Sequence, residues 1–311
     1  MSNRNFRQLL EAQWSQGNFV CVGLDSDFEK IPEAAKRLTE GHGILGASVG
    51  GHLLTFNRAI VEATKDLVCA YKFNWAFYGQ DMWWSLRETI VYIRKVAPAI
   101  PIILDAKYGD TTNSNVKCVE DAFDFLQADA ITIHPYLGAD ALQPFLDQKD
   151  KGIFVLCRTS NPGAGEFQNL NVHVTAEEVD YMHNIQAPPY SAGMSGCCTS
   201  MSNHLAYRVS KHWNNNGNCA LVVGATYPSV LAAVRSIVGD MPILIPGIGA
   251  QGGDVEKTVS AGKDIRGQGM IINSSRGIIF ASQGEDFAEA ARHETLKLHT
   301  EISRCRSAQL F

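Results

Sequence analysis

Short, nearly unbroken apolar runs recur along the chain, separated by longer stretches in which apolar residues return every three or four positions. The runs lie at residues 19–24, 67–72, 101–105, 130–134, 152–157, 219–223, 242–245 and 268–273 and are rich in Val, Ile and Leu. A run apolar on both faces fits a parallel strand covered by helices. Stretches at 53–66, 83–96, 116–126, 227–238 and 254–261 have helical spacing. Eight strand–helix alternations predict an α/β fold, a closed (β/α)8 TIM barrel rather than an open sheet. Residues 4–16 predict a helix ahead of the first strand, placed to plug the barrel bottom, and 285–304 a long terminal helix. The interval from Cys157 to Cys219 is too long for one loop and one helix, and predicts an extended loop after strand 5. Its Gly- and Ser-rich part, 187–200, reads either as a lid or as a disordered insertion. With no linker-like stretch, one barrel domain is expected over 1–311.

Charges interrupt this pattern at the strand ends. The third run closes on Asp105-Ala-Lys107-Tyr-Gly-Asp110, and the second on Lys72 within Tyr71-Lys-Phe-Asn-Trp75. Strand side chains alternate faces, so Asp105 and Lys107 are expected on one side with alpha carbons about 6.5–7 Å apart, and Asp110 in the turn beyond. Any one of these charges, alone, is an ordinary solvated strand-end residue. Two lysines and two aspartates at one barrel mouth form an alternating, roughly neutral network, and burying it is costly unless every member has a partner. Active sites of such barrels form at the C-terminal strand ends. Asp25, Lys72, Asp105, Lys107, Asp110, His134, Ser160, Gly247 and Arg276 all fall there.

Ile245-Pro-Gly-Ile-Gly-Ala-Gln-Gly-Gly253 follows the seventh strand and leads into a helix at Asp254. Glycines let backbone N–H groups approach an anion, and the helix start adds positive partial charge. Arg276 follows the eighth strand, where a guanidinium binds two phosphate oxygens in a fork. A Gly-rich turn alone is usually just a turn. Paired with an Arg-Gly one strand later, it predicts a phosphate site between the last two loops.

Composition narrows the field. With 311 residues, 45% hydrophobic and 19% charged, the chain has the make-up of a globular protein with a large core. Its net charge of −5 gives no footprint for nucleic acid. No run approaches the ~18–20 apolar residues that cross a membrane, and the N-terminus lacks a signal-peptide core, so neither a membrane partner nor secretion is expected. The eight cysteines, at 21, 69, 118, 157, 197, 198, 219 and 305, include no Cys-x-x-Cys pair. They predict a reduced, cytoplasmic protein and no metal centre.

Seven segments in order resemble one family. They are Gly23-Leu-Asp-Ser-Asp27, Tyr71-Lys-Phe-Asn74, Asp105-Ala-Lys-Tyr-Gly-Asp110, His134-Pro-Tyr-Leu-Gly138, Arg158-Thr-Ser-Asn-Pro162, Pro246-Gly-Ile-Gly249 and Asn273-Ser-Ser-Arg-Gly277. The chain resembles the orotidine 5′-phosphate decarboxylase family, in its longer bacterial-type branch. That resemblance implies decarboxylation of orotidine 5′-monophosphate to uridine 5′-monophosphate in pyrimidine biosynthesis, without cofactor or metal. It matches Lys72, Asp105, Lys107 and Asp110 to the family's charged tetrad, with Lys107 as proton donor. It implies a homodimer in which Asp110 serves the neighbouring subunit's site. Asp25 matches a ribose contact, Ser160 the serine at the pyrimidine ring, and Gln251 and Arg276 phosphate ligands. After Asp110 the family usually continues Ile-Gly-Asn-Thr, whereas this chain has Thr111-Thr-Asn-Ser114. Ser114 retains a hydroxyl for a ribose contact, and Thr112 replaces a glycine at a tight turn.

Two other readings stay open on the sequence. A related metal-dependent barrel acting on a sugar phosphate also carries Asp-x-Lys-x-x-Asp, but Lys72 adds a cation that repels a divalent ion. A non-catalytic nucleotide-binding protein on the same scaffold has no evident need for paired charges. His134 is read as a structural histidine, and Trp75, Phe77, Tyr78, Trp83 and Trp84 as core or subunit surface.

Overall fold

The computed structural model describes residues 4–39, 48–79, 82–184, 198–248 and 253–307. In chain order its strands are β1 (Val20–Gly23), β2 (Val68–Asn74), β3 (Ile102–Tyr108), β4 (Ala130–Ile133), β5 (Gly152–Arg158), β6 (Asn171–His173), β7 (Cys198–Ser200), β8 (Cys219–Val223), β9 (Ile243–Pro246) and β10 (Met270–Ser274). Eight of them close a barrel in the order β1-β2-β3-β4-β5-β8-β9-β10, with β10 returning to β1 and every pairing parallel. This is the (β/α)8 architecture, and each predicted run supplies one barrel strand. The strands are apolar on both faces because helices such as Val49–Thr64, Trp83–Val96 and Pro228–Val238 cover them outside while side chains fill the interior.

The helix Phe6–Ser15 closes the N-terminal end of the barrel. Phe6 packs edge-on against Phe154, with ring centroids 5.5 Å apart, and the Trp14 indole donates to the Met270 carbonyl at 2.8 Å. Arg4 and Arg94 both reach the buried Asp129 carboxylate, at 2.9 and 2.8 Å, and Asp129 also accepts from the Ile102 amide at the start of β3. The terminal helix Phe287–Ser307 lies outside, with Phe287 stacked on Phe56 of the helix Val49–Thr64.

The extended segment after β5 carries elements of its own. The helix Gly165–Gln168 precedes β6, and the helix Ala176–Asn184 lies between β6 and β7, which pair antiparallel. Tyr181 anchors the segment, donating to the Ile237 carbonyl at 2.6 Å, and the buried Glu178 meets His204 at 2.9 Å. Most of the Gly- and Ser-rich stretch, residues 185–197, lies outside the described residues, so the lid expectation is not decided there.

Candidate active site

β1 and β2 set the first charge pair. Leu24 continues the ladder, its amide donating to the Lys72 carbonyl at 2.8 Å, so Asp25 emerges beside Lys72. The Lys72 ammonium donates to Asp25 Oδ1 at 2.9 Å and to Asp105 Oδ2 at 3.3 Å. Lys72 is only 4% exposed. Burial alone would lower its pKa, but the charges of Asp25 and Asp105 outweigh that and hold it above the ordinary lysine value.

Asp105 links this pair to Lys107. Its second oxygen, Oδ1, accepts from Lys107 Nζ at 2.7 Å and from the Thr132 hydroxyl at 2.8 Å. Burial pushes the Asp105 carboxyl up, yet the two ammonium groups and these hydrogen bonds overcome it and bring the pKa down to about 2. Two cations and two anions therefore balance within one chain, with Asp25 as the second carboxylate.

The path of β3 differs from plain alternation. Its pairing with β4 passes from Leu104↔Ile131 directly to Tyr108↔Ile133, and Lys107 has φ +52°. Residues 105–107 therefore bow out of the ladder, and it is this bulge that seats Lys107 over Asp105. The expected strand end at 105 moves to Tyr108, and β2 likewise runs on to Asn74.

Behind Asp25 lies a buried polar relay that sequence reading missed. Ser26 donates to Asn57 Oδ1 at 2.6 Å, Asn57 donates to the Tyr78 hydroxyl at 3.0 Å, and Tyr78 donates to the Leu24 carbonyl at 2.6 Å. It fixes the backbone on both sides of Asp25. The available signal was Asn57 on the apolar face of a helix.

A depression of about 160 Å³ at the C-terminal strand ends is lined by Asp25, Lys72, Asn74, Asp105, Ser160, Gly247, Asn273 and Arg276, among others. Ser160 follows Arg158, whose guanidinium stacks on Tyr227 at 3.7 Å, and the neighbouring Thr159 amide donates to Gln168 at 2.8 Å. Gly247 turns the chain with φ +104° after β9, and its carbonyl accepts from the Gly253 amide at 3.1 Å, cinching the base of the loop. Arg276, exposed, opens the short helix Arg276–Ile279 after β10. Gly247 and Arg276 thus border the same depression as Asp25, Lys72 and Asp105. Gln251 lies outside the described residues.

Three expected site residues do not line the depression: Lys107, which is joined to it through Asp105, and Asp110 and Ser114. Asp110 is exposed, its carboxylate accepting from the Thr111 amide at 2.6 Å and its own amide donating to Asn115 Oδ1. Ser114 lies on the next helix, Thr112–Val119, with its hydroxyl 3.5 Å from that of Thr111. His134 packs on Gly109, where a Cβ would sit 2.8 Å from its Nε2, as suits a structural role. Among the described residues, no group of three or more His, Cys, Asp or Glu side chains is placed to hold a metal ion.

A family model described as "Orotidine 5′-phosphate decarboxylase / HUMPS family" matches residues 19–292. A Cellvibrio japonicus protein named orotidine 5′-phosphate decarboxylase is 42% identical over 305 residues, covering 97% of this chain and 100% of its own length. A Cupriavidus necator protein of the same name is 43% identical over 303 residues, covering 97% and 98%. The solved structure of Leishmania donovani OMP decarboxylase superposes with TM-score 0.72 at 32% identity, covering 95% of this chain and 99% of that one. Leishmania donovani UMP synthase gives TM-score 0.78 at 34% identity, but the match covers 98% of this chain and only 57% of the synthase.

Proposed function

The chain belongs to the orotidine 5′-phosphate decarboxylase / HUMPS family, and on that premise we propose that it is a carboxy-lyase converting orotidine 5′-monophosphate to uridine 5′-monophosphate. The observation that carries this reading is Asp105 set between two ammonium groups, at 3.3 Å from Lys72 and 2.7 Å from Lys107. Loss of carbon dioxide from C6 of the pyrimidine leaves an electron pair in the ring plane, with no π system to spread it. Stabilisation then falls to a preorganised field. An ammonium about 4 Å from a full negative charge is worth ~4 kcal/mol at an effective dielectric near 20.

In this mechanism the C6–carboxylate bond breaks, its electron pair stays on C6, and Lys107 supplies both the opposing charge and the proton. The C6–H bond forms as an N–H bond of Lys107 breaks, and the amine regains its proton from solvent. Asp105 holds both ammonium groups in place and, beside the substrate carboxylate, disfavours the ground state. No cofactor takes part. Lys72 fills the space between Asp25 and Asp105 that a divalent ion would need, which favours this reading over a metal-dependent sugar-phosphate enzyme.

Binding falls to residues of the depression together with Ser114 and Gln251. Arg276, Gln251 and the turn at Gly247 take the phosphate, Asp25 and Ser114 the ribose, and Ser160 the pyrimidine. Asp110 acts in the site of a second copy, so the working unit is a homodimer. Seven free cysteines among the described residues, five of them buried, fit a reducing cytoplasm.

Mixing the purified protein with orotidine 5′-monophosphate and a chelator, followed by ultraviolet absorbance, tests the reading. Full conversion to the uridine nucleotide with chelator present is expected. An unchanged spectrum, or turnover only after a divalent ion is added, would refute it.

A further inference from the structure

Thr132 is the polar member of β4, set among Ala130, Ile131 and Ile133, and it is 1% exposed. Three residues of β3, 105 to 107, stand opposite it, because the pairing skips from Leu104↔Ile131 to Tyr108↔Ile133. Within that bulge the Lys107 amide donates to Thr132 Oγ1 at 3.0 Å. The Thr132 hydroxyl in turn donates to Asp105 Oδ1 at 2.8 Å, the oxygen that also receives Lys107 Nζ at 2.7 Å. One hydroxyl thus closes a ring running from the Lys107 amide through Thr132 and Asp105 to the Lys107 ammonium. Lys107 holds φ +52°, a region that L-residues avoid unless their surroundings over-determine it.

We propose that Thr132 is a positioning residue for the decarboxylation. Its hydroxyl pins the bulge and orients Asp105 Oδ1, and so sets where the Lys107 ammonium stands when it meets C6. This rests on the function proposed above. A hydroxyl is the smallest group that both accepts from an amide and donates to a carboxylate at one point, and valine, of the same shape, does neither. Positioning of this kind acts on the chemical step rather than on binding.

The test compares Thr132→Val and Thr132→Ser. Valine should lower kcat about 10- to 100-fold while KM and uridine 5′-monophosphate affinity stay within about threefold. Serine should restore kcat to within about threefold of wild type. Equal kcat in the valine variant, or a KM rise matching the kcat loss, would overturn the proposal. Hydrogen exchange at the Lys107 amide of the wild-type protein provides a second reading that needs neither variant nor turnover. Protection is expected, and exchange at the rate of an open loop would overturn the pin. A wild-type protein inactive on orotidine 5′-monophosphate would instead strike the function, leaving the exchange result to decide the pin.

Discussion

Asp105 gives one carboxylate oxygen to each of two lysines, and that division has consequences in solution. Its pKa falls from the ordinary 3.8 to about 2, worth about 2 kcal/mol of folding stability. Because the folded value is the lower one, that stability is present above about pH 4 and disappears as pH falls towards 2. Lys72 is shifted the other way, upward, so its contribution is complete below its ordinary pKa and is lost only in strong alkali. Melting temperature should therefore drop more steeply between pH 4 and 2 in wild type than in Asp105→Asn; parallel acid limbs would contradict the assignment. The Lys107 side chain is 47% exposed and, among the described residues, has one ion-pair partner, Asp105, so truncating it leaves the amide hydrogen bond to Thr132 in place. Lys107→Ala is expected to cut kcat at least about 1,000-fold while titration calorimetry still detects uridine nucleotide. Arg276→Ala should raise KM about 10- to 100-fold with a much smaller effect on kcat. The lysines and aspartates were legible in the sequence only as a set: each charge alone is an ordinary strand-end residue, but several at one barrel mouth need one another as partners. Thr132 and Asn57 were not, since threonine in a strand and asparagine in a helix are ordinary, and only the partners across the barrel give them meaning.

At the level of elements, the barrel was readable because parallel strands buried on both faces leave continuous apolar runs. What periodicity could not carry was the path of β3: a bulge is a relation between two strands, and Leu104↔Ile131 followed by Tyr108↔Ile133 exists only once β4 is alongside. The segment after β5 was legible as an interval and not as helices and a strand pair, because β6 and β7 are three residues each and find one another across residues 174–197. The N-terminal helix illustrates the converse, a modest signal with a large packing role. Phe6 lies over Gly152, where a Cβ would come within 2.4 Å of its ring, so the helix sits directly on the backbone of β5. Phe6→Ala should cost about 3 kcal/mol, read by chemical denaturation. KM should hold, because the plug and the charged cluster occupy opposite ends of the barrel; a KM rise would mean that the two ends are coupled.

For the whole molecule, the proposed homodimer turns on Asp110. Asp110 is exposed and directed at its own Thr111 amide, while Asp25 and Asp105 already balance Lys72 and Lys107. A carboxylate so placed gains a catalytic role only if a second copy presents its own cluster to it, as an isologous dimer does by applying one contact twice. Asp110→Ala and Lys107→Ala should each be nearly inactive alone, since every site of the first lacks the incoming carboxylate and every site of the second lacks the proton donor. Mixed under conditions that let subunits exchange, half the dimers pair one copy of each. Each such dimer holds one site with Lys107 from one copy and Asp110 from the other, beside a site lacking both. Random pairing therefore restores about a quarter of the wild-type rate, rising with incubation time at the rate of subunit exchange. If Asp110 served its own chain, no pairing would rebuild a complete site and the mixture would stay as inactive as its parts.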